Sequence, residues 1–124
     1  MSSAFHPSHM IDLVADARDC SLSPTGAPSL VLSGDPQTAE LIVVEGDGLE
    51  LGVWEVTPGV FRSTKNGIGE FMTILSGSGS ITHADGRVDH LEAGTVIVLS
   101  DGADVVWTVT QTIRKVYCIY RTAL

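Results

Sequence analysis

The chain has 124 residues, 44% of them hydrophobic and 18% charged. That is enough for one domain with one core, and the composition is that of a globular rather than a disordered chain. A net charge of −8 at pH 7 speaks against nucleic acid and anionic membrane as partners, since both require a basic surface. The longest apolar runs, LIVV at 41–44 and TVIVL at 95–99, are too short to span a bilayer.

The start, MSSAFHPSHMIDLV, has neither a basic region nor a long apolar stretch and does not read as a signal peptide, so a cytoplasmic protein is the default expectation. Residues 9–19, HMIDLVADARD, are the one helical candidate. Asp12, Asp16 and Asp19 interrupt its apolar face, and a loose arm fits the pattern equally well. His6 and His9 fall in this arm and read as solvated. From there on, glycine turns recur at short intervals: GDPQ, EGDG, TPG, KNGIG, SGSG, ADGR, EAG and SDGAD. Between them lie short runs rich in Val, Ile, Leu, Thr and Trp. The spacing predicts strands near 29–32, 39–45, 50–57, 60–64, 70–76, 79–84, 87–91, 96–99, 105–110 and 113–121, the signature of an all-β sandwich or barrel. ITHADGRVDHL is the clearest hairpin, with Asp85-Gly86 suited to a two-residue type I′ turn. His83 and His90 lie on its two strands and read as surface histidines. Cys20 and Cys118 are far apart with no metal or redox spacing and read as reduced thiols. An N-terminal arm over 1–28 and one barrel domain over 29–124 is the economical division.

Several of these residues carry a family resemblance. Glu70 and Gly77 match the end of the first cupin motif, G-x5-H-x-H-x(3,4)-E-x6-G, and Gly94 and Gly102 match glycines of the second. GVWEVTPGVFR at 52–62, Trp107 and TIRKVY at 112–117 resemble the small cupins related to (S)-ureidoglycine aminohydrolases and ethanolamine-utilisation cupins. The resemblance covers roughly residues 34–121 and implies an all-β fold: a single antiparallel jelly-roll (cupin) barrel with an N-terminal extension. It also implies a homodimer, as small cupins commonly pair through edge strands.

The chain departs from the family at its metal ligands. The two histidine positions before Glu70 fall on Thr64 and Asn66 with a three-residue spacing, or on Ser63 and Lys65 with a four-residue spacing. Val105 stands for the histidine of the second motif, Ser100 for its proline and Val109 for its asparagine. A first-row metal needs three or four well-placed donors. With Glu70 alone remaining, the expectation is no metal and no cofactor.

Side chains alternate across a strand. If Glu70 points inward, Met72 and Ile74 do too. If Val105 replaces an inward ligand, Trp107 and Val109 also face in. On the last strand the resemblance favours Lys115 and Tyr117 as inward. The expected mouth is Trp54, Arg62, Thr64, Asn66, Glu70, Trp107, Lys115 and Tyr117, with Arg62 and Lys115 as partners for the Glu70 carboxylate. In a chain with two lysines and five arginines, such cations suit a small anionic or zwitterionic metabolite. Three classes of function follow. One is a metal-independent acid–base enzyme with Glu70, Lys115 and Tyr117 as catalytic groups and Trp54, Arg62, Thr64, Asn66 and Trp107 as ligand contacts. The second is a binding module with the same pocket and no turnover. The third, implied by the resemblance alone, is a metal-dependent aminohydrolase-like enzyme. No G-x-S-x-G elbow, P-loop or dinucleotide fingerprint is present, so those chemistries are unsupported.

Overall fold

The computed structural model describes residues 9–10 and 16–122. Within them the chain forms ten strands and no helix, and so no helix long and apolar enough to cross a membrane. Residues 11–15, the middle of the helical candidate, and His6 lie outside the described residues. The candidate's ends are not helical: His9–Met10 is strand β1 and residues 17–19 form a turn.

The remaining strands are β2 (Ser23–Gly26), β3 (Leu30–Gly34), β4 (Thr38–Gly46), β5 (Leu49–Val56), β6 (Gly59–Thr64), β7 (Ile68–His83), β8 (Val88–Leu91), β9 (Val96–Leu99) and β10 (Asp104–Arg121). All pairs are antiparallel, giving the expected all-β barrel. The long strands β7 and β10 run through both halves. The first part of β10 pairs with β6 and the end of β7, and its second part pairs with β5 and the start of β7. β9 and β8 flank the two ends of β7, and β4 with β1 and β2 extends the β5 side.

Two predicted turns are not turns of the expected kind. Ser76-Gly77-Ser78-Gly79 is a bend inside continuous β7, not a break between strands. The register with β10 slips there, and the buried set changes from Glu70, Met72 and Ile74 to Ile81. Gly77 has φ 95°, and a Cβ on it would strike the Thr112 carbonyl. One chain thus turns a barrel corner by a bulge without surrendering its ladder. The type I′ turn is also elsewhere. Gly86 donates to the His83 carbonyl at 2.9 Å and has φ 90°, while Asp85 has no positive φ. That is a three-residue loop closed by a left-handed glycine. Asp47 (φ 50°) and Gly48 (φ 77°) are the pair with both angles positive, joining β4 to β5.

The core fills the barrel from one side. Val56, Phe61, Met72, Ile74, Ile81, Leu91, Leu99, Val105, Trp107, Val109 and Ile113 are buried in one cluster. Alternation along β10, interrupted by three exposed residues at 110–112, puts Val105, Trp107, Val109, Ile113, Lys115 and Tyr117 inside. The other end of the interior stays open and polar.

Candidate functional site

Register brings residues of four strands together. Lys115 on β10 lies opposite Trp54 on β5, which lies opposite Glu40 on β4. One row further, Tyr117 lies opposite Gly52; in the next, Ile119 is flanked by Glu50 on β5 and Glu70 on β7. Gly52 is needed here. A Cβ would stand 2.9 Å from the Tyr117 hydroxyl and collide with the Leu41 carbonyl, so the missing side chain is what lets the phenol ring lie flat across β5.

Glu40, Glu50, Trp54, Glu70, Lys115 and Tyr117 border a cavity of about 400 Å³. Its inner end holds a buried ionic triad. Lys115 Nζ donates to Glu70 Oε2 at 2.6 Å, and Lys65 Nζ sits 2.9 Å from Oε1. Both oxygens of the carboxylate are therefore engaged. Burial alone would raise the Glu70 pKa, but the charges and hydrogen bonds of Lys115 and Lys65 outweigh it and hold it below the usual value. Burial pulls the Lys115 ammonium down, and Lys65 adds to this; Glu70 opposes both. The Lys115 ammonium also lies 4.3 Å from the Trp54 ring centroid and 5.0 Å from that of Trp107, a geometry in which the ring faces replace part of its lost hydration. Trp54, Trp107 and Phe61 form one aromatic wall, with Phe61 stacked on Trp107 at 5.7 Å.

The outer end is acidic. Tyr117 donates its hydroxyl to Glu50 Oε2 at 2.7 Å. Burial, then that bond and the Glu50 charge, push the phenol pKa up, so Tyr117 acts as a neutral donor at any ordinary pH. Glu40 also lines the cavity, and burial followed by the Glu50 and Glu45 charges raises its pKa.

Of the residues singled out by sequence, Glu70, Lys115, Tyr117, Trp54 and Trp107 converge on the cavity, and Thr64 lies on its exposed edge. Arg62 does not pair with Glu70. It sits at the rim, half exposed, in a two-point contact with Asp104 at 2.5 and 2.7 Å. Asn66 is exposed and does not line the cavity. The partner that sequence reasoning missed is Lys65. The four-residue spacing is the one that the barrel uses, so Ser63 and Lys65, not Thr64 and Asn66, occupy the two histidine positions. The signal available in sequence was the scarcity of lysine, with one of two falling on that alternative. Glu40 and Glu50 were missed because nothing in β4 or β5 marks which acidic residues face in. His83 is not a free surface group: its Nε2 is 2.6 Å from Asp89, with Arg87 beside it. Cys20 and Cys118 are free thiols.

The residues present do not fit the metal that the motif implies. Two ammonium groups hold both Glu70 oxygens, Ser63 lies opposite Val105, and Val105 has no donor. Among the described residues no group of three or more His, Cys, Asp or Glu is placed to hold a metal ion.

Comparison with known proteins agrees with the architecture. A family model described as the EutQ-like cupin domain matches residues 43–117. No curated protein matches the chain. Among solved structures, a protein of unknown function from Pseudomonas syringae pv. tomato, of the DUF861 family, is 27% identical with a TM-score of 0.74; the match covers 82% of this chain and 45% of that one. The chain thus spans less than half the length of that relative. The EutQ protein of Clostridium difficile is 21% identical, with a TM-score of 0.61 and coverage of 72% and 71%. A predicted oxalate decarboxylase from Thermotoga maritima is 15% identical, with a TM-score of 0.64 and coverage of 88% and 99%. The last two show the fold alone. Because the EutQ-like model takes in most of the barrel, from β4 through Tyr117, this chain belongs to the EutQ-like cupin family.

Proposed function

We propose that this small cupin binds a zwitterionic metabolite in its barrel. The observation that carries this reading is the separation of charge across one cavity. The Lys65–Glu70–Lys115 end has one positive charge in excess, and the Glu40–Glu50 end is negative. An aromatic wall joins them. The volume suits a molecule of metabolite size. A ligand with a carboxylate at one end and an ammonium at the other matches both ends at once, whereas a simple anion meets repulsion from Glu40 and Glu50. A thermal-shift screen of amino acids, simple amines and simple carboxylates tests it. Zwitterions should raise the midpoint more than either single-charge class, and Glu50→Gln should abolish their advantage. Equal responses from all three classes would refute it.

A metal-independent acid–base enzyme is a second reading, favoured by Lys115. Its ammonium is buried against the cavity with its pKa drawn down, as a proton-transferring lysine requires. Glu70 is a poor base by comparison, since both its oxygens are occupied. Nothing in the donor set supports the metal-dependent aminohydrolase-like alternative.

A further inference from the structure

The triad has a charge problem that its own members do not solve. Two ammonium groups share one carboxylate, each on a separate oxygen. The Lys115 side chain is 7% exposed and that of Lys65 11%, so neither excess charge is dispersed freely into water. The additional contacts of Lys115 are weak acceptors: the Met72 sulfur at 3.8 Å and the aromatic faces. Among the described residues, Lys65 adds only Ser63 Oγ at 3.5 Å. Each ammonium has three protons to donate, so both retain donor capacity toward the cavity that they line. The lysines also repel each other. A second anion bridging them from the cavity side would relieve that repulsion and neutralise the cluster.

This is the place where the family motif would put a divalent cation beside the glutamate. We propose that Lys65 and Lys115, clamped by Glu70, form an oxyanion-binding site that replaces a metal ion in this barrel and takes the carboxylate of the ligand. The inference rests on the pocket reading above and deepens it. It assigns the anionic end of the ligand to two named ammonium groups and makes binding independent of metal. Glu70 is then a positioning residue: it holds the lysines together and is not itself a ligand contact.

Two probes test the proposal by calorimetry, with and without a chelator: oxalate, a compact planar dianion, and β-alanine, a zwitterion. Each should bind as well with chelator as without it. Lys65→Met and Lys115→Met should each weaken both probes by more than about tenfold, the loss of one charge-assisted contact. Lys65→Arg should retain binding. The Lys65 side chain is slightly more exposed than that of Lys115, so Lys65→Met should keep its fold even if Lys115→Met does not, and a circular-dichroism melt of each variant establishes which are folded. If β-alanine binds and depends on Glu50 but not on either lysine, the oxyanion site is refuted while the pocket reading stands. If neither probe binds, both fail. Binding that disappears with chelator and returns with manganese or zinc would overturn the replacement of metal by lysine.

Discussion

Lys115 and Glu70 meet at 2.6 Å although they are not register partners: Lys115 faces Ile74 across the β7–β10 ladder, and Glu70 faces Ile119. Both side chains therefore lean along their strands to meet inside the barrel. A contact built in that way depends on the length of both side chains, and shortening either one breaks it.

The first prediction concerns that dependence. Lys115→Met leaves Glu70 with Lys65 alone, and Glu70→Gln leaves two ammonium groups without their shared anion. Glu70→Gln should cost about 3–5 kcal/mol, as leaving buried charge without its partner does, and Lys115→Met should cost less, because Glu70 keeps Lys65. Combining Glu70→Gln with Lys115→Met should cost less than the sum of the single changes, because the double variant keeps one buried ammonium where Glu70→Gln alone keeps two. Denaturant titration of the four proteins measures this; strict additivity would show that the two residues are not coupled.

Acid stability should carry the signature of Glu70. Its pKa in the folded barrel is below the ordinary value of 4.5, so the unfolded chain takes up this proton first as pH falls. Its contribution is fully present above the ordinary value and is lost as pH drops from there through the folded-state pKa. Glu70→Gln should flatten that part of the stability curve while lowering stability at neutral pH. An unchanged acid limb in the variant would mean that other carboxylates carry it.

The barrel was legible because its turns are marked by glycine and its strands by alternation. The merging of strands was not, because Gly77 looks the same in sequence whether it ends a strand or bends one. What distinguishes the cases is the Thr112 carbonyl on the neighbouring strand, a non-local fact. Asp85-Gly86 and Asp47-Gly48 are the same dipeptide, and only the register of the flanking strands decides which takes two positive φ angles. The inward positions of Glu70, Lys115 and Tyr117 followed from alternation together with the family resemblance. Lys65 did not, because the motif permits two spacings and the choice between them is made by the loop from β6 to β7. Arg62 was placed near the mouth and is there, but Asp104, directly opposite Thr64, captures it.

Gly52→Ala should be more harmful than its one added methyl implies. The new Cβ would meet the Leu41 carbonyl and the Tyr117 ring together, and backbone cannot yield as a side-chain tip can. Overpacking of this kind costs about 1–3 kcal/mol. Tyr117→Phe removes only the bond to Glu50, worth about 1 kcal/mol. Thermal melts of both variants and their double should place Gly52→Ala as the larger loss, and Tyr117→Phe should not rescue it, since the Leu41 contact persists.

Arg62→Ala should separate the rim from the triad. The Arg62–Asp104 contact is exposed on both sides, and such pairs are screened and contribute little. Stability should be close to unchanged at physiological salt. Binding of oxalate should fall far less than in Lys65→Met. A loss as large as that of Lys65→Met would move the anion-binding group outward to the rim.

The last prediction concerns metal. Protein expressed in medium supplemented with manganese, zinc, iron and nickel should carry less than about a tenth of an equivalent of any of them, because one carboxylate already held by two ammonium groups is an inadequate donor set. Near-stoichiometric metal that disappears in Glu70→Ala would overturn this. The converse experiment asks whether the barrel geometry or the side chains are the obstacle. Ser63 and Val105 are opposite one another on paired strands, and Lys65 follows two residues after Ser63 on the same side. Histidine at all three positions, with Lys115→Met to remove the remaining competing charge, would surround Glu70 with imidazoles. Zinc should then bind with about one equivalent and raise the thermal midpoint, as binding to the folded state alone must. If this variant folds and still excludes zinc, the cavity itself is the wrong shape for a metal, and the two lysines are not what keeps it out.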